Sequence, residues 1–309
     1  MMSLNYYIAD VFTNQMFSGA QVAVFPNSDD LNDQQMALIA NEINMPETVF
    51  VSNPNADNTT RKMRIFSPLA EIDYAGHPII ATAFILSESG DIQLTEGVTS
   101  LTFSQNTIDI EVNISVTKGK VSFVQFTKKV ASVIDRFTPS DVELAELLSI
   151  KSSEIDHKKY ATRLVSCGFP YLIVPVWNYE TVRNAKFNFS AWSQSSAPQT
   201  AAQEILLFSP KTAFMDSNFH ARLLGQNIGV HDDPAVGSAI PAFASYLCSF
   251  DFTQEGTHTF AVDRGDTESR RSVINVEMDH KAGSELNLRI GGEAVMVSEG
   301  KMFIPDLTQ

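Results

Sequence analysis

The sequence predicts an α+β fold made of two similar domains, and three observations carry that prediction. The chain reads as many short apolar or alternating runs of strand length, broken by few helical stripes. Two helices, Pro78–Leu86 (PIIATAFIL) and the stretch that follows Ser238 (AIPAFASYL), hold no charged residue. A helix that is apolar on every face belongs inside a protein. The surroundings of these helices also repeat. Setting Gly76 on Gly237 aligns Arg64-Ile65-Phe66, a loop, Ala75-Gly76-His77 and the first helix with Arg222-Leu223-Leu224, a loop, Val236-Gly237-Ser238 and the second. The offset of roughly 160 residues is about half the chain, as a duplicated pair of ordinary domains would give. We therefore expect an N-terminal domain over residues 1–130 and a C-terminal one over 131–309, the final strand being free to return to the first.

The elements follow in order. Tyr6–Val11 and Val22–Phe25 read as strands joined by a loop, and Asp33–Ile43 carries a helical stripe at Met36, Leu38, Ile39 and Ile43. Asn44-Met45-Pro46 ends that helix, and Thr48–Ser52 resumes as strand, so Glu47 sits at a helix-to-strand junction. Arg61–Phe66 is a strand and Ser67–Tyr74 a loop before the first apolar helix. Strands follow at Ser100–Phe103, Ile108–Ile114 and Val121–Phe126, and Thr138–Ser149 begins a helix with Ser140 as cap and Glu143 three residues on. The second half predicts strands at Thr162–Ser166, Tyr171–Val176, Ile205–Phe208, Ala213–Asp216 and Phe219–Leu224, with a polar surface helix and loop over Ser190–Ala202. After the second apolar helix come strands at Thr259–Val262, Val273–Glu277, Leu286–Ile290 and Ala294–Val297, with Ile290-Gly291-Gly292-Glu293 as a hairpin turn.

Composition narrows the function classes. Hydrophobic residues make up 44% of 309, enough for a core, and no apolar run reaches the ~18 residues a membrane span needs. MMSLNYYIADVF is not a signal peptide, so the expected location is the cytoplasm. A net charge of −14 without a basic cluster argues against nucleic acid as partner. It also demands a locally positive or donor-rich pocket for any acidic substrate. Two cysteines and six scattered histidines give neither a disulfide framework nor a metal constellation. There is no Gly-rich phosphate loop, and Val236-Gly237-Ser238-Ala239-Ile240 lacks the second glycine of a nucleophile elbow. Cofactor-free proton transfer is the chemistry left, with a small molecule as partner.

Four side chains suit it. Glu47 follows a proline in an apolar setting (Ile43, Met45, Val49, Phe50), where partial burial raises a carboxyl pKa toward neutrality. Position alone favours a surface glutamate opening a strand. His77, between Gly76 and Pro78, falls at a helix N-cap, with Pro78 in the first turn where no N–H is required. It reads either as a side chain projecting into a cleft or as a structural histidine. Pro234 shapes a turn after Asp232-Asp233, and Gly237-Ser238 starts the second apolar helix with Ser238 as N-cap and Pro241 in its first turn. Asp233 and Ser238 then converge on a helix end whose free N–H groups suit an anion, or they merely cap it. If the two helix starts face one another, they line one cleft between the domains.

Along much of its length the chain resembles the phenazine-biosynthesis PhzF-like isomerases, which share the diaminopimelate-epimerase-like fold. The blocks that carry the resemblance are FSGAQVAVF (17–25), NMPETVFV (44–51), RIFSP (64–68), YAGHP (74–78), CGFPYLIVPV (167–176) and DDPAVGSA (232–239). It implies two pseudo-symmetric domains, each a rolled, barrel-like mixed sheet around a central helix, with the active site in the interdomain cleft. By position Glu47 would be the catalytic glutamate that moves a proton between carbons. Gly76, His77, Asp233, Gly237 and Ser238 would bind and polarise a substrate and its carboxylate. Family members are often homodimers. Relatives include an isomerase of a dihydro-hydroxyanthranilate and epimerases that place a cysteine just before each helix-start glycine. Here those places hold Ala75 and Val236, which disfavours two-thiol racemisation. The family's Gly-Asn-Pro is Gly19-Ala20-Gln21, Pro46 replaces the serine before the glutamate, and Val236 replaces a threonine. Lost donors redirect substrate choice or, in the rival reading, leave a non-catalytic ligand- or protein-binding member.

Overall fold

The structure, a computed structural model, describes residues 2–52, 60–73, 76–106, 108–229 and 232–305. Tyr74, Ala75 and His231, which belong to the two helix-start stretches compared above, lie outside the described residues. In chain order come β1 (Met2–Val11), β2 (Ala20–Phe25), α1 (Asp33–Ile43), β3 (Glu47–Ser52), β4 (Thr60–Phe66), β5 (Glu71–Ile72), α2 (His77–Glu88), β6 (Gly97–Gln105), β7 (Ile108–Thr117) and β8 (Lys120–Val130). They are followed by β9 (Val133–Asp135), α3 (Asp141–Leu148), β10 (Arg163–Ser166), β11 (Pro170–Pro175), α4 (Tyr179–Asn184), α5 (Phe189–Gln194), β12 (Glu204–Ser209) and β13 (Phe219–Gly225). The chain closes with α6 (Ile240–Cys248), β14 (Gly256–Arg264), β15 (Ser272–His280), β16 (Leu286–Gly292) and β17 (Ala294–Ile304). Two compact units emerge, Met1–Lys128 with Arg289–Gln309, and Lys129–Leu288. The C-terminal segment is thus counted with the first unit. Among the described residues no helix is long and apolar enough to cross a membrane.

Strand pairing follows the same scheme in each unit. In the first, β2 runs parallel to β3, β3 antiparallel to β4, β4 parallel to β6, and β6 antiparallel to β7. In the second, β11 runs parallel to β12, β12 antiparallel to β13, β13 parallel to β14, and β14 antiparallel to β15. Each parallel step needs a crossover, and helices supply it: α1 and α2 in the first unit, α4 with α5 and then α6 in the second. An additional antiparallel strand flanks each set, β1 beside β2 and β10 beside β11.

The second crossover helix of each unit is its core. In α2 every residue from His77 to Ser87 is buried, against β1, β2, β3, β7 and β17. Its two hydroxyls bond within the helix, Thr82 Oγ1 to the Pro78 carbonyl and Ser87 Oγ to that of Ala83, both at 2.7 Å. In α6, Ile240–Leu247 is buried next to β10 and β11, with the Phe243 ring 4.9 Å from Phe208 and 5.1 Å from Phe219. The surface helices are specified differently, by capping. Asn32 and Gln35 close a reciprocal box on α1, and Asn44 ends it in the left-handed region at φ 52°. Ser140 and Glu143 do the same for α3.

Several expectations fail locally. Ala213–Asp216 is not a strand but a turn, because the Thr212 hydroxyl accepts from Phe214 N–H at 3.1 Å and folds the backbone back on itself. Ile290–Glu293 is not a hairpin turn. β16 continues to Gly292, and β17, beginning at Ala294, pairs with β1 instead. The two glycines serve close approach: a Cβ on Gly291 would lie 2.5 Å from the Val124 carbonyl, and one on Gly292 would lie 2.6 Å from the Phe12 ring. His77 is the first residue of α2, whose cap is Gly76, and Ser238 is not the cap of α6. A 3-10 turn over Val236–Ala239 intervenes, Ala239 takes the cap position, and Ser238 is exposed on the turn. Short elements were also missed: β5, β9 and α4 are too brief to show periodicity.

Two stability tests follow. Gly291→Ala should cost about 1–3 kcal/mol in denaturant unfolding, as overpacking does. At α3, Ser140→Ala should cost about 1 kcal/mol. Glu143 there accepts from Ser140 N–H at 2.7 Å and Ser196 N–H at 2.7 Å, and these bonds draw its carboxyl down to about 2. A depressed acid stabilises above its unfolded pKa. The deficit of Glu143→Gln should therefore be full at neutral pH and shrink as pH falls from about 4.5 toward 2.

Candidate active site

In the first unit the crossover helix and its neighbouring strand bring two of the singled-out residues together. Asn44 closes α1, Pro46 keeps the chain out of helix, and Glu47 opens β3 opposite Val22 of β2. Gly76 caps α2 without a side-chain hydrogen bond, and His77 takes the first helical position with Pro78 next. The Glu47 Oε2 and His77 Nε2 atoms are 2.7 Å apart, the side chains 15% and 10% exposed. Residues thirty apart in sequence thus form one carboxylate–imidazole pair. Glu47 Oε1 receives no hydrogen bond among the described residues. A carboxylate with one oxygen anchored and the other open can take a proton from a bound carbon acid.

In the second unit Asp233 is held by a residue that sequence reasoning passed over. Arg183, from α4, donates to Asp233 Oδ2 at 2.6 Å and reaches Asp266 Oδ2 and Ser269 Oγ, each at 3.2 Å. The pair is largely shielded, with side-chain exposures of 20% for Arg183 and 13% for Asp233. Asp233 Oδ1 is buried without a partner. Arg222 braces this corner, donating from Nη1 to the Arg183 and Ala185 carbonyls at 3.2 and 2.9 Å and from Nη2 to the Asp232 carbonyl at 3.4 Å. No local signal announces Arg183, because its partner lies fifty residues on.

Gly237 is buried in the 3-10 turn and Ser238 exposed beside it. Burial drives the pKa of the Tyr171 phenol well upward. Tyr171 is the register partner of Glu204, as Val22 is of Glu47. Glu204 therefore stands in the second unit where Glu47 stands in the first, and burial raises its carboxyl pKa. Both cysteines lie away from the helix starts. Cys167 Sγ is 3.7 Å from Ser245 Oγ, and burial pushes the Cys248 thiol up to about 11, so it is protonated at neutral pH. Among the described residues no group of three or more His, Cys, Asp or Glu side chains is placed to hold a metal ion.

These features describe an α+β scaffold of repeated topology that presents a shielded carboxylate–imidazole pair in one unit and an arginine-held aspartate in the other. Its membership is specific: the family model described as phenazine biosynthesis-like protein matches residues 9–300, and the chain belongs to that family. An otherwise uncharacterised isomerase of Mesorhizobium japonicum is 29% identical over 98% of this chain and 100% of its own. A trans-2,3-dihydro-3-hydroxyanthranilate isomerase of Pseudomonas chlororaphis is 25% identical over 97% of this chain and 99% of its own. The crystal structure of a PhzF-family phenazine biosynthesis protein of Bacillus anthracis has a TM-score of 0.84 at 24% identity. It covers 98% of this chain and 100% of that one, and shows the fold.

Because Arg183 is the partner of a shielded carboxylate, Arg183→Met should lower stability by about 1–3 kcal/mol in chemical denaturation. Adding Asp233→Asn should recover part of the loss, and a double-mutant cycle reads the coupling.

Proposed function

We propose that the protein is a cofactor-independent isomerase that moves a proton between carbons of a small carboxylate-bearing metabolite. The observation that carries the reading is the shielded Glu47–His77 pair at 2.7 Å. In the ionised state Glu47 takes a proton from an activated C–H of the substrate through its open oxygen, and the electron pair left on carbon delocalises into the adjoining unsaturated system. Protonated Glu47 then returns the proton to a different carbon of that system, so atoms and charge balance and no redox partner enters. His77, bonded to the other oxygen, fixes the carboxylate's orientation and exchanges hydrogen-bond roles as its charge changes.

The remaining residues bind in this reading. Asp233 Oδ1, buried and without a protein partner, accepts from a substrate hydroxyl or amine, while Arg183 keeps the carboxylate aimed. Gly76 and Gly237 each leave the backbone open to close approach at the start of its own helix, and the Ser238 hydroxyl adds a donor in the second unit. The activity in the name of the Pseudomonas chlororaphis relative supports proton-shift chemistry. Ala20, Pro46 and Val236 supply no side-chain donor where the family resemblance implies one, which favours a different substrate.

The test is incubation with candidate unsaturated or hydroxylated carboxylates in deuterated water. Wild type should place deuterium on substrate carbon. Glu47→Gln, folded and still binding, should slow incorporation by about 10²–10⁴-fold. A Glu47→Gln protein that exchanges at the wild-type rate sinks the assignment.

A further inference from the structure

The corner that holds Asp233 is rich in positive charge, in a chain whose net charge is −14. Arg183, Arg222 and Arg264 all feel Asp233 electrostatically, and Arg264 feels Arg183 and Arg270 as well. Two of these guanidinium groups make hydrogen bonds through their Nη atoms, although the Nε of Arg222, like that of Arg264, is buried without a partner among the described residues. Arg183 is taken by Asp233, Asp266 and Ser269, and Arg222 by three backbone carbonyls. Arg264, the last residue of β14, is different. It is only 5% exposed, its Nε is buried without a partner, and its side chain makes no hydrogen bond among the described residues. Directly opposite on β15 stands Ser272, 1% exposed, whose hydroxyl is also buried without a partner. Directly opposed residues of an antiparallel pair point to the same face, so the guanidinium and the hydroxyl share one side of the sheet.

Such an arrangement is costly unless something answers it. An unpaired buried guanidinium carries a desolvation penalty of several kcal/mol, and buried polar groups are as a rule hydrogen-bonded. The nearby carboxylate does not bond it: Asp233 accepts from Arg183 at Oδ2, and its Oδ1 has no partner among the described residues. A planar fork of N–H donors with a hydroxyl beside it matches a carboxylate, which accepts two parallel bonds from arginine.

We propose that Arg264 and Ser272 form a buried anion site next to the Asp233–Arg183 pair, and that it receives a carboxylate of the substrate. The link to the substrate rests on the isomerase reading above, whereas the anion site itself does not. A substrate seated here would carry its negative group on Arg264 and Ser272 and a hydroxyl or amine on Asp233. Acidic metabolites of that polarity would thus be drawn into a protein that otherwise repels them.

Malonate is the probe, titrated into the full-length protein while the side-chain Nε–H signals of arginine are followed by NMR, with Arg264→Lys identifying the Arg264 signal. Saturable movement of that signal is expected, together with malonate affinity lowered about tenfold or more in Arg264→Met and less in Arg264→Lys. Arg264→Met should melt no lower than wild type without malonate, since it removes an unpaired buried charge. The proposal is overturned if malonate moves no Arg264 signal or if Arg264→Met binds it as wild type does. It is equally overturned if Arg264→Met melts well below wild type and Asp233→Asn restores it, which would make Arg264 a structural partner of Asp233. Glu47→Gln should bind malonate normally. Loss of its deuterium exchange alone, or failure to lose it, therefore bears on the isomerase reading and not on this site.

Discussion

Each unit depends on a helix whose buried run, Pro78–Ser87 in α2 and Ile240–Leu247 in α6, holds no Asp, Glu, Lys or Arg. A crossover between parallel strands must pass over the sheet, and α2 and α6 do so wholly inside apolar surroundings. Burial of this kind, at about 25 cal/mol per Å² of apolar surface, is the dominant favourable term available to each unit. It also dictates where polar atoms can go. The interior of α2 contains only hydroxyls that bond back to their own helix. Functional polarity is displaced to the helix starts, where backbone N–H groups have no intrahelical partner. Gly76 and His77 stand at one such start, and Gly237 and Ser238 in the turn leading to the other.

The strand scheme then sets what meets those starts. Because β2 and β3 are parallel and in fixed register, the first residue of β3 is Glu47, and the shielded pair with His77 follows from that placement. The second unit uses the same scheme with other side chains. Glu204 occupies the place of Glu47, and Ser238 follows Gly237 as His77 follows Gly76. One topology therefore carries two different sets of side chains: a carboxylate–imidazole pair in the first unit, and an exposed serine with an arginine-held aspartate in the second.

How much was legible in the chain varies with the range of the interaction responsible. Helix caps are local, and Ser140 with Glu143 could be read directly. The uncharged helices announced themselves by composition, and the correspondence of Gly76 with Gly237 pointed to the repeated scheme. The glycine pair Gly291-Gly292 misled, because a turn and a close approach both call for a missing Cβ, and only the neighbours, Val124 and Phe12, distinguish them. Ser238 misled in the same way. A serine two residues before the helix looks like its cap until the 3-10 turn places Ala239 there.

What the sequence by itself determined is the alternation of strands, the two apolar crossover helices, the repeat and the place of Glu47 at a helix-to-strand junction. These are written in periodicity and composition, which act over a few residues at a time. Only the tertiary structure decided which groups became partners. His77 reaches Glu47 over thirty residues, Arg183 reaches Asp233 over fifty, and Arg264 faces Ser272 across two strands. Such pairings depend on strand register and helix placement, so no short-range pattern encodes them. Burial then weights them, since a charge withdrawn from water must find a partner in the fold or in a ligand.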